Sequence, residues 1–296
     1  MEQPPVFFSV ILPTYNRAGT LMRAVNSVLA QNFSYFELII IDDGSTDNTA
    51  DLIKGLKDDR IKYIFQKNQE RSAARNNGIS NSIGKYICFL DSDDEFTPDY
   101  LKALHEFVVL KNYPIALIKS FGIVDKGGIK EKNPFKGMDK EDKLNYLFQD
   151  ILFLPCAAVH RDILQKEKFD TALHLAEDTD LWVRILIEHE MLVLNFHSAI
   201  IHPDESEYDP IKMERSHTNY IIAFKKIKQL LIKNKLSGIG EANQKIILRS
   251  IWLARSLFDQ KKYFKALFIV WNVYSMDGAQ IKNLYFSKWL LGKKYN

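Results

Sequence analysis

Cysteine is scarce in this chain: Cys88 and Cys156 are its two cysteines in 296 residues. They lie far apart without CxxC spacing, which excludes a disulfide framework or a cysteine-rich metal site. Cys88 sits in the apolar run "YICFL" and reads as a reduced core thiol, as expected of a cytoplasmic compartment. Long hydrophobic runs are missing too. Nowhere do apolar residues reach the ~18 needed to cross a bilayer. The opening "MEQPPVFFSVILPTYN" lacks a basic start and a small-residue cleavage site, so it does not read as a signal peptide. There is no internal repeat and no low-complexity tract. The expected location is cytoplasmic, soluble or peripheral at the inner face of the membrane.

A large net charge is also absent, but the total of +3 hides a division. Residues 211–296 carry 17 Lys+Arg and 4 Asp+Glu, a net +13, and residues 1–210 carry a net −10. An acidic body with a basic end implies two jobs, the second directed at an anionic surface. Hydrophobic residues (46%) and charged residues (26%) stand at ordinary globular levels.

Short apolar runs at 6–12, 37–42, 61–66 and 86–90 are continuous rather than alternating in polarity. Strands buried on both faces of a parallel sheet have that pattern. Between them, Leu21, Val25, Val28 and Leu29 mark one helix, and Leu52, Ile53 and Leu56 another. A third is expected over Arg75–Ser82, although Gly78 inside it lowers helix propensity. Strand–helix alternation means an α/β fold. Thr97 as N-cap and Pro98 at the first helical position predict a helix to about Leu110. The stretch 125–142 is polar and rich in Gly and Lys, and reads as a mobile loop. A helix is expected over 177–190 and a strand over 191–196. Beyond His202 two basic amphipathic helices follow, one with Tyr220, Phe224, Ile227 and Leu231 on a face, the next with Ile247, Ile251, Ala254 and Phe258. "SGIG" at 237–240 separates them.

Three polar clusters follow strands: "PTYN" (13–16), "DDGSTD" (42–47) and "DSDD" (91–94). In an open parallel sheet the ligand crevice lies beyond the carboxyl ends of the strands, so all three are expected at one edge. Ser45, Thr46 or Asp47 could equally cap the next helix. "DSDD" is too dense in carboxylate for a turn alone. An EF-hand would need Gly where Phe96 stands, and a DxDx(T/V) nucleophile motif is broken by Glu95. A hard divalent cation, Mn²⁺ or Mg²⁺, held by one or two carboxylates and completed by phosphate oxygens and water, fits what remains. "PTYNRAGT" is not the Gly-rich phosphate loop of a nucleotidyltransferase.

"SVILPTYNR", "ELIIIDDGSTDNT", "ARNNGI", "GKYICFLDSDDEFTPDYL" and "EDTDLWVR" together resemble glycosyltransferase family 2, over residues 6 to about 202. The resemblance implies a GT-A fold: a mostly parallel sheet flanked by helices, here with a C-terminal helical extension. It implies a catalytic domain over 1–210, with 1–105 the nucleotide-binding half and 106–210 the acceptor half, and 211–296 as a basic helical region. It also implies an inverting, metal-dependent transferase that moves one sugar from a nucleotide-sugar donor, UDP-linked, to a hydroxyl of a glycan or lipid-linked glycan.

By that resemblance Tyr15 stacks on the base, Asp43 accepts from it, and Pro13 and Thr14 make backbone contacts. Arg75 faces the diphosphate and the acidic loop. Asp91 and Ser92 belong to the nucleotide site, with Asp91 reaching the sugar or ribose. Asp93 and the adjacent Asp94 hold the metal, and His202 lies near it. Asp178 is the catalytic base, with Glu177 in reserve, although carboxylates at a helix N-terminus are also favoured by its dipole. Two features depart from the family. Gln69 and Glu70 stand where a glycine pair is usual, and no QxxRW segment follows, so one sugar per binding event is expected.

For the basic end, the candidate partners are an anionic membrane surface and a second copy of the chain through the C-terminal helices. A helical hairpin with a solvated basic face would need no partner. Nucleic acid is not expected, because the body is acidic and no reader motif is present. The rival to an enzyme is a catalytically silent sugar-nucleotide-binding subunit acting through its helical end.

Overall fold

The computed structural model describes residues 5–126, 128–132, 143–149, 152–203 and 208–276. The chain divides into two compact units, Met1–Asp204 and Glu205–Asn296.

The first unit opens as four strands with intervening helices. β1 (Phe8–Thr14) leads to α1 (Ala18–Leu29), β2 (Phe36–Asp42) to α2 (Thr49–Lys54), and β3 (Ile61–Phe65) to α3 (Glu70–Ser80), followed by β4 (Tyr86–Phe89). β1, β2 and β4 are buried along their whole length, in keeping with their unbroken apolar composition. The four run parallel in the order β3-β2-β1-β4. α3 begins at Glu70, five residues earlier than expected, and Gly78 inside it has a packing reason. A Cβ there would meet Ile11 Cγ2 of β1 at 2.4 Å, so the glycine lets helix and strand approach closely.

The second half is less regular. β5 (Glu95–Phe96), α4 (Tyr100–Leu110), β6 (Ala116–Lys126), β7 (Ile129–Lys132), α5 (Lys143–Gln149), β8 (Ala157–His160), α6 (Arg161–Lys166), α7 (Glu177–Glu188) and β9 (Glu190–Ile201) follow in sequence. They extend the sheet as β4-β8-β6-β9-β5, with β7 paired to β6. β8 is antiparallel to both neighbours, β6 and β9 are parallel, and β5 is antiparallel to β9. The result is a mixed sheet flanked by helices.

Several expectations are corrected. α4 starts at Tyr100 rather than after Thr97, because the Thr97 hydroxyl donates to His197 O (2.7 Å) and its N–H to Ser198 O (2.9 Å). Thr97 thus pins β5 to β9 instead of capping a helix. The first part of the expected loop at 125–142 is a β-hairpin, β6 with β7; residues 133–142 lie outside the described residues. β9 starts at Glu190, one residue before the expected 191–196, and runs five residues beyond it to Ile201.

The second unit contains α8 (Pro210–Lys233), α9 (Ile239–Asp259) and α10 (Tyr263–Met276). Asp209 caps α8, accepting from the Ile211 and Lys212 N–H groups, with Pro210 at the first helical position. Phe224, Ile227 and Leu231 are buried as the periodicity predicts. Phe258 is not: it is 46% exposed, packs edge-on to Tyr263, and leaves the buried position to Leu257. No described helix is long and apolar enough to cross a membrane.

Candidate functional site

The three polar clusters meet at the carboxyl ends of adjacent parallel strands, since β1 neighbours both β2 and β4. Hydrogen bonds join the first two. Asn16 N–H donates to Ser45 Oγ (3.0 Å), Thr46 N–H to Asn16 Oδ1 (2.8 Å), and Ala18 N–H to Asp47 Oδ2 (3.1 Å). Asp47 Oδ1 also accepts from Thr49 N–H at the start of α2, so the capping role foreseen for this run falls to Asp47. Pro13 and Thr14 close β1 and are buried, and Tyr15 beyond them is 48% exposed. An exposed ring on a pinned loop is available to stack on a flat ligand.

Asp43 is buried. Its Oδ1 accepts from Gln66 Nε2 (2.6 Å) and Gln69 N–H (2.9 Å), which orients the carboxylate and leaves Oδ2 without a hydrogen-bond partner among the described residues. Gly44 beside it has φ +85°, and a Cβ there would sit 2.9 Å from Asn68 N, so the "DDGS" turn lies flat against the 66–69 segment. Glu70 has φ +70°, a left-handed geometry that costs a non-glycine residue ~1–2 kcal/mol. Asn16 (φ 50°) and Ala176 (φ 55°), on the other loops of this edge, share it. Of the seven non-glycine residues with positive φ among the described residues, these three lie on this edge, and Asn112, Tyr113, Lys235 and Lys261 lie elsewhere.

The acidic turn is held by arginines from three directions. Arg75, 3% exposed, bonds Asp91 Oδ1 through Nη2 and Glu177 Oε1 through Nη1, both at 2.7 Å. Burial disfavours its charge, but the two carboxylates outweigh that and hold the guanidinium above the usual arginine range. Arg17 approaches Asp93 at 3.5 Å, and Arg23 approaches Glu95 at 3.6 Å and donates to the Asp93 carbonyl. Neither arginine was assigned from the sequence, although Arg17 directly follows "PTYN". The terminal nitrogens of Arg75 therefore bridge the acidic loop to α7.

Asp94 and Ser92 are buried. Asp94 Oδ1 accepts the His202 N–H (2.9 Å), and burial, with Asp91 and Asp93 nearby, pushes its carboxyl up to about 8. His202 Nε2 lies 2.8 Å from Glu95 Oε1, and Nδ1 lies 4.0 Å from Asp125. The end of β9 is thus anchored to the acidic turn. Among the described residues, no three His, Cys, Asp or Glu side chains converge closely enough to hold a metal by themselves. Asp93 is one-third exposed and its ion pair with Arg17 is long. A partly exposed, loosely paired carboxylate beside others suits a hard cation that takes most of its ligands from water and phosphate.

At the start of α7 the carboxylates divide. Asp180 is fully buried and pairs with Arg184 Nε (2.9 Å), and Arg184 also reaches Glu167 and the Lys168 carbonyl. Glu177 is buried against Arg75. Asp178 is half-buried and accepts from Thr179 N–H (2.6 Å); burial and the adjacent Glu177 charge push it up to about 6. A carboxylate near that value can both lose and take a proton near neutrality. Asn76, in the "ARNNG" run, exchanges two hydrogen bonds with the Phe169 backbone, tying α3 to the segment before α7.

The family model for "Glycosyl transferase family 2" matches residues 9–167. An uncharacterized glycosyltransferase of Rickettsia conorii is 37% identical over 179 residues, 60% of this chain and 30% of the relative. The chain therefore spans under a third of that relative's length. The GalNAc(5)-diNAcBac-PP-undecaprenol beta-1,3-glucosyltransferase of Campylobacter jejuni is 28% identical over 193 residues, 62% of this chain and 61% of that one. Among solved structures, S. aureus TarS 1-349 in complex with UDP-GlcNAc aligns at TM-score 0.63 and 19% identity, over 88% of this chain and 81% of that one. The mannosyltransferase PcManGT of Pyrobaculum calidifontis, in complex with GDP-Man and Mn2+, aligns at TM-score 0.62 and 14% identity, over 98% and 85%. At these identities the structures speak for the fold, which is of GT-A type.

Proposed function

The chain belongs to glycosyl transferase family 2, and from that premise we propose that it transfers one sugar from a UDP-sugar to a hydroxyl of a lipid-linked glycan, with inversion. The observation that carries this reading is the Arg75 bridge, which holds the acidic turn and the Asp178 end of α7 at one edge of the sheet. The donor class is supported by the UDP-GlcNAc complex of TarS, and the acceptor class by the Campylobacter enzyme's undecaprenol-linked substrate.

Tyr15 stacks on the uracil, and the open Oδ2 of Asp43 accepts from its imide N–H. Asp91, fixed by Arg75, orients the sugar or ribose. Asp93 and the adjacent Asp94, with His202 near them, would hold Mn²⁺ or Mg²⁺ together with phosphate oxygens and water. A divalent cation in that position supplies neutralisation of the charge on the leaving diphosphate. Asp178 accepts the acceptor hydroxyl's proton as its oxygen bonds to the anomeric carbon. The bond from that carbon to the diphosphate oxygen breaks, and its electron pair leaves with UDP. Arg75 touches no reacting atom and acts as a positioning residue.

Calorimetric titration of UDP with and without Mn²⁺ tests the reading. Binding should tighten with Mn²⁺, Asp93→Ala should abolish that gain, and Asp178→Ala should leave it intact. Sugar transfer that continues in excess EDTA would remove the metal's role. Failure to bind any nucleoside diphosphate would remove the donor assignment.

A further inference from the structure

α10 is apolar on two opposite faces. Ala266 is buried against Ala254 and Leu257 of α9, with Ile269 and Val270 packed beside it. On the far side Phe264, Leu267, Phe268 and Trp271 are 93%, 63%, 66% and 72% exposed. Their i, i+3, i+4, i+7 spacing places them in one stripe roughly 100° wide. A stripe of four large apolar side chains marks a surface made to be covered, unlike singly scattered ones. Phe264 and Phe268 also line a cleft of about 430 Å³, together with Leu253, Leu257, Lys265 and Glu214.

The charge around this stripe points to what covers it. Residues 210–276 carry 13 Lys+Arg and 3 Asp+Glu. Of those acids, Glu214 is paired with Lys262 (2.8 Å) and Asp259 with Arg255 (3.0 Å). Lys261 and Lys265 stand exposed on either side of the start of α10. We propose that the outward stripe of α10 is a docking surface for an anionic phospholipid membrane, with the aromatic side chains in the headgroup region and the lysines on lipid phosphates. An aromatic and aliphatic stripe with a cationic flank is the composition of an interfacial helix. A purely electrostatic partner such as nucleic acid would leave four apolar groups in water. Vesicle binding by this stripe requires neither the donor nor the acceptor of the transfer reaction.

Flotation of the full chain with phosphatidylcholine vesicles, with and without phosphatidylglycerol, provides that test. Binding is expected only with phosphatidylglycerol at low salt, with a blue shift of tryptophan emission. Phe264→Ser with Trp271→Ser should lower the bound fraction roughly tenfold. Leu110→Ser, which alters an 80%-exposed leucine at the end of α4, should leave it unchanged. Equal binding to neutral vesicles, or equal binding by the double variant, would overturn the proposal. So would a dimer in solution that the double variant converts to monomer without any vesicle binding, since the stripe would then face a second copy. A double variant that unfolds more readily while vesicle binding is absent throughout would also overturn it, assigning the stripe to intramolecular packing.

Discussion

The acidic turn from Asp91 to Glu95 and the start of α7 from Glu177 to Asp180 carry carboxylates at similar density, yet their surroundings sort them differently. In the turn, neutralising cations arrive from distant elements: Arg17 before α1, Arg23 on α1 and Arg75 on α3. In α7, Asp180 is matched within its own helix by Arg184, and Glu177 pairs with the same Arg75. The difference leaves Asp93 more loosely ion-paired, at 3.5 Å, than Asp91, at 2.7 Å. Asp93 stands open beside a loose ion pair, which suits a cation, and Asp178 is pushed up to about 6, which suits proton transfer. Carboxylate density alone predicts neither outcome; the arrangement of arginines does.

The division of labour can be broken at its reactive end. Asp178→Asn should cut kcat by about 10²–10⁴ while UDP affinity with Mn²⁺ stays near the wild-type value, as measured by steady-state kinetics beside calorimetry. Retained turnover would move the base to Glu177. Breaking the bridge is the next largest change. Arg75→Leu leaves Glu177 buried without its cation and should cost about 3–5 kcal/mol of stability in urea unfolding. A loss below ~1 kcal/mol would mean the two regions are not held together through this side chain.

The pH profile sharpens the comparison. Asp178 must be unprotonated to accept a proton, so kcat should be flat above about 6 and fall tenfold per pH unit below it. The Glu177 charge is one of the two influences that raise this value, so Glu177→Gln should move the midpoint to lower pH. A midpoint that stays or rises would contradict the assigned cause. The smallest effect belongs to the exposed pair in the acidic turn. Arg17→Ala should change stability by less than ~1 kcal/mol, against several for Arg75, because solvent screens a half-exposed pair.

Much of this site was legible beforehand for a simple reason. Side chains just past the ends of parallel strands must share an edge, so "PTYN", "DDGS" and "DSDD" could be brought together from strand order alone. What escaped was short or antiparallel. β8 has four residues and α6 six, too few for a periodicity, and Thr97 was misread because its hydroxyl serves β9, about 100 residues away in sequence. The positive φ of Glu70 left no trace in residue type, since glutamate is an unfavourable choice for that geometry.

The amino-acid order by itself determined the α/β architecture of the first unit, the polar character of its strand ends and the amphipathic course of α8, because these depend on local period and residue type. Tertiary structure decided which carboxylate is bridged, which is buried and which is left to react. Arg75 meets Asp91 16 residues along the chain and Glu177 102 residues along it, and such meetings follow from how helices pack on the sheet, not from any pattern within one segment.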